Sequence, residues 1–273
     1  MKRLACLVPL LLLVRFSCFS VPDGTGRRRY GLQELPEVSA KDIDQGDGSG
    51  ALVSKVLEAG VRLLLRRYDD VTVRVQSRWD QLIRGRVEAV HLAGENWCTK
   101  LGLRARALRV AALRGAALDY GELLQGRVTL TEAAQGWAEA VFDAEEFADF
   151  LVYPQVAAAA PELEGAQFRF CGSVEISSAD ETLTFQGSHA GDLFRGTLSC
   201  GDGTQPQVSL HGDIDEARRV ALERALASFF RSLYVDLAGV CLSFERLRFG
   251  KDVAAVLLKA EIRRIPNPFR DRI

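Results

Sequence analysis

The chain is short of the residues from which most active sites are built. Its 273 residues include three histidines, His91, His189 and His211, and no two of them stand at the spacing of an HExxH or other paired-ligand motif. Each falls within a strand-like alternation, which points to structural or surface roles. Beyond the first 20 residues there are four cysteines, Cys98, Cys171, Cys200 and Cys241. None belongs to a CxxC pair, so the spacing of a zinc or redox site is missing, and both two disulfides and buried free thiols stay open. There is no GxSxG elbow for a nucleophilic serine. The loop DIDQGDGSG (Asp42–Gly50) has Gly46 where a calcium loop needs a third oxygen ligand, and no bidentate Glu follows. Its glycines follow no strand and precede no Lys-Ser/Thr pair, which excludes a phosphate loop. Glu145–Glu146 and Asp213–Asp215 sit at expected helix starts, where carboxylates serve the helix. No nucleophile, base and orienting group assemble, so the chain reads as a non-enzyme, with neither cofactor nor metal.

An excess of one charge is also missing: the net charge is −1. That balance conceals two unlike halves. Gly50–Leu130 carries 14 Lys and Arg against 8 Asp and Glu, a net of +6, and Thr131–Ile273 carries 14 against 22, a net of −8. The basic half suits an anionic partner such as a phospholipid surface, or is a solvated arginine-rich strand face. Its arginines alternate along strands without an RNP-like motif, which argues against nucleic acid. Hydrophobic residues at 48% and charged residues at 26% favour a packed core over disorder.

No stretch reaches the ~18 uninterrupted apolar residues of a membrane span. The longest run, Leu4–Val14, follows Lys2 and Arg3 and precedes Cys18-Phe19-Ser20, the pattern of a secretory signal over residues 1–20, with Arg15 an unusual residue near its end. Residues 21–49, rich in Gly, Pro and charge, read as a linker or a second targeting region. Export to an extracytoplasmic compartment is expected, or a plastid address if the leader is bipartite with Arg27, Arg28 and Arg29 in its second part.

From residue 50 to 273 a single α+β domain is expected. ALVSKVLEAGVRLLLRRY after Ser49 has helical spacing, and DVTVRVQS alternates Val71, Val73 and Val75 against polar residues. LGLRARALRV alternates Leu101, Leu103 and Ala105 against Arg104 and Arg106, with a slip in phase near Ala107 that suggests a bulge. VTLTEAAQGWAEAVFD reads as a further long strand. Asp143 and Glu146 have capping-box spacing before a short helix closed by Pro154. Four strand-like runs follow, QFRFCGSVEI, ETLTFQGSHA, LFRGTLSC and PQVSLHG. Asp213 and Glu216 predict a second capping box, opening a third helix through Leu233, and two more strands end the chain. Long strands with short turns give a long curved antiparallel sheet wrapped around amphipathic helices. Trp79, Trp97 and Trp137 fall near strand ends, as core or rim residues.

One phrase is written twice: WDQLIRGRV (Trp79–Val87) and YGELLQGRV (Tyr120–Val128). Two aliphatics close a helical turn, Gly suits the left-handed residue that ends it, and Arg-Val starts a strand. Both copies are expected to turn the chain from one long strand into the next.

The block from Leu52 to Tyr153 resembles the LmeA-like phospholipid-binding family. The resemblance rests on four elements in order: an amphipathic helix, VTVRVQSRWDQLIRGRVEAVHL, LGLRARALRVAALRGAALDYGELLQGRVTLTEAAQG, and AVFDAEEFADFL. It covers somewhat over a third of the chain, carries no catalytic fingerprint, and departs from the simplest bacterial members in the linker and the long C-terminal third. It implies an envelope- or plastid-associated protein that holds phospholipid in a sheet wrapped around a helix, as in tubular lipid-binding proteins. The expected function is therefore binding or transfer of an anionic lipid at a membrane surface. Leu63, Leu64, Phe147, Phe150, Leu151, Phe229, Phe230 and Leu233 are candidates for acyl contact, and Arg84, Arg86 and Arg127 for the headgroup. A scaffold gripping a protein partner through its sheet is the alternative.

Overall fold

Eight of the strands form one antiparallel sheet, in which two short stretches share the edge of the first long strand and the final long strand returns to the middle. The computed structural model describes residues 49–265, apart from 79, 82, 83, 85, 101, 119–127, 202–204, 237 and 238. All of these belong to one unit, Gln33–Ile273, and the expected leader, most of the linker and the second corner with Arg127 lie outside the described residues. Helix α1 (Ser49–Leu64) leads into β1 (Leu65–Arg67) and β2 (Asp70–Gln76). Both pair with the same edge of β3 (Arg86–Thr99), which is followed by β4 (Arg104–Leu118) and β5 (Val128–Phe142). Residues 143–233 then leave the sheet. β12 (Tyr234–Asp236), β13 (Val240–Gly250) and β14 (Val253–Ile265) bring the chain back, so that β14 lies between β5 and β13. The result is a curled antiparallel half-barrel in an α+β protein.

The excursion holds the other elements: α2 (Ala144–Val152), α3 (Pro154–Ala158), a short hairpin of β6 (Glu162–Leu163) and β7 (Ala166–Gln167), a meander, and α4 (Glu216–Arg231). The meander is β8 (Arg169–Ser177), β9 (Thr182–His189), β10 (Asp192–Ser199) and β11 (Gln207–His211). These four strands match the four expected runs, but they pair among themselves as a separate sheet and do not extend the long one. Each puts one apolar face inward, through Phe170, Leu183, Phe185, Phe194, Leu198, Val208 and Leu210. The helices need a second apolar wall on the side away from the long sheet, and this face supplies it. Phe142 and Phe147, Phe170, Phe229 and Phe230, together with Val256 and Leu258 from the long sheet, share one core. Gly196 lies against the Phe185 ring and Gly187 against the Phe168 ring, each without room for a Cβ.

Several local expectations are met. Asp143 and Glu146 form the reciprocal capping box of α2, and Val71, Val73 and Val75 are buried. Other boundaries differ. Helix α1 ends at Leu64 because the next three residues join β3 as a strand. Pro154 closes α2 but also opens α3, since a proline suits the first turn of a helix. The N-cap of α4 is Asp215, which accepts from Arg218 N at 3.1 Å, so the Asp213–Glu216 box is not formed, and Leu233 lies beyond the helix. The ladder runs in constant register past Ala107, and the slips fall between Val87 and Ala89 of β3 and, where β4 pairs with β5, between Ala112 and Ala117 and between Ala117 and Leu118. Cys98, Cys171 and Cys241 are in no disulfide, and Cys200 is buried at the end of β10.

The long sheet's edges are covered by side chains rather than left as templates for pairing. On β2, Val75 N donates to Ser54 Oγ at 2.9 Å, and Arg62 Nη2 donates to Val71 O at 3.3 Å. On β12, Gln155 donates to Asp236 O at 2.9 Å and accepts from Asp236 N at 3.2 Å.

Candidate functional site: an apolar strip across the long sheet

Register and alternation divide the long sheet into two chemically different faces. On one, Val73, Leu92, Val110, Ala138, Leu258 and Phe244 are paired in succession across six strands. The next row is Val71, Gly94, Leu108, Ala140, Val256 and Leu247. Two adjacent rows without a polar side chain make a continuous apolar track. On the opposite face the corresponding row is Arg74, His91, Ala111, Trp137, Lys259 and Ser243.

The apolar track is covered unevenly. At one side Val71 and Val73 are buried against the α1 side of the sheet, where Val61, Leu65, Trp97 and Leu92 form a small cluster. At the other, Ala138, Ala140, Val256 and Leu258 are buried in the core shared with α2 and α4. Between them Val90, Leu92, Leu108 and Val110 are half-buried, and Leu108 touches both clusters. These four residues form a strip where apolar side chains remain in reach of solvent.

The strip has a closed end and a basic end. Toward the closed end, Arg104 and Arg106 share the parity of Leu108 and Val110 but are turned to α2. Arg104 Nε meets Asp149 Oδ2 at 2.5 Å, its Nη2 meets Glu145 Oε1 at 3.0 Å, and Arg106 Nη2 meets Asp143 Oδ2 at 2.7 Å. The bonds to Asp149 and then Glu145 push the Arg104 pKa upward. Burial raises the Glu146 carboxyl in the same capping turn. These contacts correct the expectation that Arg104 and Arg106 lie on a solvated face opposite inward Leu103 and Ala105: an acidic helix consumes both charges. Toward the other end, Arg86 opens β3 four residues before Val90, about 13 Å along a strand. Arg84 N donates to Gln81 O at 2.9 Å just before β3, and Leu82, Ile83 and Gly85, on which the expected corner rests, lie outside the described residues. Arg84 and Arg86 are both exposed.

The predicted site residues thus separate into two groups. Phe147, Phe150, Leu151, Phe229, Phe230 and Leu233 are brought together, but inside the closed core, where Phe170 stands 5.6 Å from Phe229 and 6.1 Å from Phe230. Leu64 is buried and Leu63 is 50% exposed. The strip residues escaped sequence reasoning, although their signal is present. Val90 and Leu92, like Leu108 and Val110, are i, i+2 apolar pairs, and pairing alone shows that they share a face.

On the polar face, Arg109 Nη1 is 3.4 Å from Glu139 Oε2, and Lys259 lies 3.3 Å from Glu245 and 5.8 Å from the centre of the Trp137 ring. His91 Nε2 is buried without a hydrogen-bond partner; burial, and then the Arg74 charge, lower its pKa. Among the described residues no three His, Cys, Asp or Glu side chains group as metal ligands, and no helix is long and apolar enough to cross a membrane.

No protein-family model matches this chain, and neither a curated protein nor a solved structure does.

Proposed function

We propose that the protein binds, and passes between membranes, an anionic phospholipid, without chemistry on it. The observation that carries this reading is the half-buried strip of Val90, Leu92, Leu108 and Val110 between two covered parts of one apolar track, with Arg84 and Arg86 exposed toward one end. An acyl chain laid along the strip leaves water, which stabilises it by about 0.8 kcal/mol per buried methylene. A phosphate at the corner end meets the forks of Arg84 and Arg86, and Arg127, the third headgroup candidate, lies outside the described residues. The resemblance of Leu52–Tyr153 to the LmeA-like family supports the same ligand class, and an envelope or plastid membrane is its setting. The Phe147, Phe150, Leu151, Phe229, Phe230 and Leu233 cluster is then the wall behind the strip rather than its lining.

The test is transfer of fluorescent phosphatidylglycerol between vesicles, with wild type and with the pair Leu108→Asp and Val110→Asp. Transfer by wild type and its loss in the pair are expected. A folded pair that transfers as well as wild type contradicts the placement. A stoichiometric protein co-purifying in place of lipid favours the scaffold reading instead.

A further inference from the structure

Six large apolar side chains are conspicuously exposed among the described residues, and two of them, Leu63 at 50% and Tyr68 at 37%, fall within six positions of each other where α1 gives way to β1. The same stretch carries Arg62, Arg66 and Arg67, all exposed. Arg62 is engaged, through an ion pair to Glu58 at 2.7 Å and with its guanidinium 5.8 Å from the centre of the Tyr68 ring. Arg66 and Arg67 have no carboxylate partner among the described residues. Of the acids that follow, Asp69 accepts from the Asn96 side chain of β3, while the exposed Asp70 starts β2 opposite another carboxylate, Glu95. Leu65, between the exposed residues, is buried against Val71 and Trp97 and fixes the stretch to the sheet.

An exposed leucine and tyrosine beside Arg66 and Arg67, which have no carboxylate partner among the described residues, is the composition of a surface that meets a bilayer. Leucine enters the acyl boundary, tyrosine lies at headgroup level, and arginines meet phosphates. We propose that Leu63, Arg66, Arg67 and Tyr68 form the surface by which this protein docks on an anionic bilayer. This deepens the lipid-binding reading and rests on it. The docking surface lies at the end of α1, next to the covered side of the apolar track, and is separate from the arginines assigned to the bound headgroup. A protein partner for the same patch is an outcome of the test below.

The experiment is co-sedimentation of the full chain with mixed phosphatidylglycerol–phosphatidylcholine vesicles and with pure phosphatidylcholine vesicles. Each variant's circular dichroism and extracted lipid are recorded alongside. Wild type should favour the anionic vesicles. Arg66→Ala and Arg67→Ala should each weaken that binding by roughly fivefold. Leu63→Asp with Tyr68→Ala should abolish it, while extracted lipid stays at the wild-type level. Leu193→Ser, which removes the most exposed of the six large apolar side chains, at 74%, should change nothing. Vesicle binding unchanged in the Leu63, Tyr68 and arginine variants overturns the docking surface, as does equal loss in Leu193→Ser. So does a wild type that ignores vesicles, or that uses this patch to hold a co-purifying protein. A wild type that yields no lipid on extraction and takes up no phosphatidylglycerol from vesicles instead defeats the lipid-binding reading itself.

Discussion

Arg218 Nη2 donates to His189 Nδ1 at 2.9 Å, and the other ring nitrogen, Nε2, faces the carbonyl oxygens of Leu163 and Ala166 at 3.0 Å each. Carbonyls only accept and guanidinium only donates, so the ring is the Nε2–H tautomer. One buried imidazole thereby joins β9, the β6–β7 hairpin and α4. The same Arg218 also reaches Asp192 Oδ2 at 2.9 Å. Replacing His189 by Leu leaves two carbonyls and a guanidinium without this partner inside the fold. The expected loss is about 3 kcal/mol in urea unfolding, with the circular dichroism of the folded state retained. A loss below about 1 kcal/mol contradicts the role.

Asp143→Ala removes the side-chain half of the α2 capping box, in which Asp143 Oδ1 accepts from Glu146 N at 2.8 Å, and frees Arg106. The expected cost is about 1–2 kcal/mol, nearly all from the cap, because the Arg106 pair is more than a third exposed on the arginine side. Asp143→Asn, which keeps an accepting oxygen, should recover most of it. An Asn variant no better than Ala would assign the effect to the ion pair.

Gly196→Ala tests the packing of the four-stranded sheet. Its Cβ would overlap the Phe185 ring, which is itself buried among Phe168, Phe170 and Phe230. Overpacking of this kind costs about 1–3 kcal/mol. Gly201→Ala, where a Cβ meets nothing within 4 Å, is the control and should be close to neutral.

Much of this architecture can be read in the sequence, and the parts that cannot have physical reasons. Val71, Val73 and Val75, the Asp143–Glu146 box and the four runs from Arg169 to His211 are local patterns, fixed by alternation or by a three-residue spacing. The return of β14 to the side of β5 is a pairing across more than a hundred residues, and nothing local in either strand encodes it. The fate of Arg104 and Arg106 depends on the same long reach. Both look solvated until α2 brings Asp143, Glu145 and Asp149 to them. The strip was hidden because half-burial belongs to neither strand: Leu108 and Val110 are left half-buried by what the helices do not cover. Conversely, Phe229 and Phe230 form the apolar stripe expected of α4, but a stripe cannot reveal that a second sheet closes over it.

His91 makes stability depend on pH. Its folded-state pKa lies below the ordinary 6.5, first because of burial and then because of the Arg74 charge. The unfolded chain therefore binds the proton more readily than the folded one. The contribution to stability is complete above pH 6.5 and is lost as pH falls through that value toward the folded pKa. Melting temperature should decline between about pH 7 and pH 5, and His91→Gln should flatten that part of the curve. An identical slope in His91→Gln would place the dependence elsewhere.

The central claim is that a phospholipid occupies the strip between the two covered parts of the long sheet. It is tested most directly by purifying the full chain, extracting it with organic solvent, and identifying what is released by mass spectrometry. A diacyl phospholipid with an anionic headgroup, released by wild type and depleted in the Leu108→Asp, Val110→Asp pair, is the expected result. Extracts with no lipid from a folded protein that also fails to take up phosphatidylglycerol from vesicles would contradict the account.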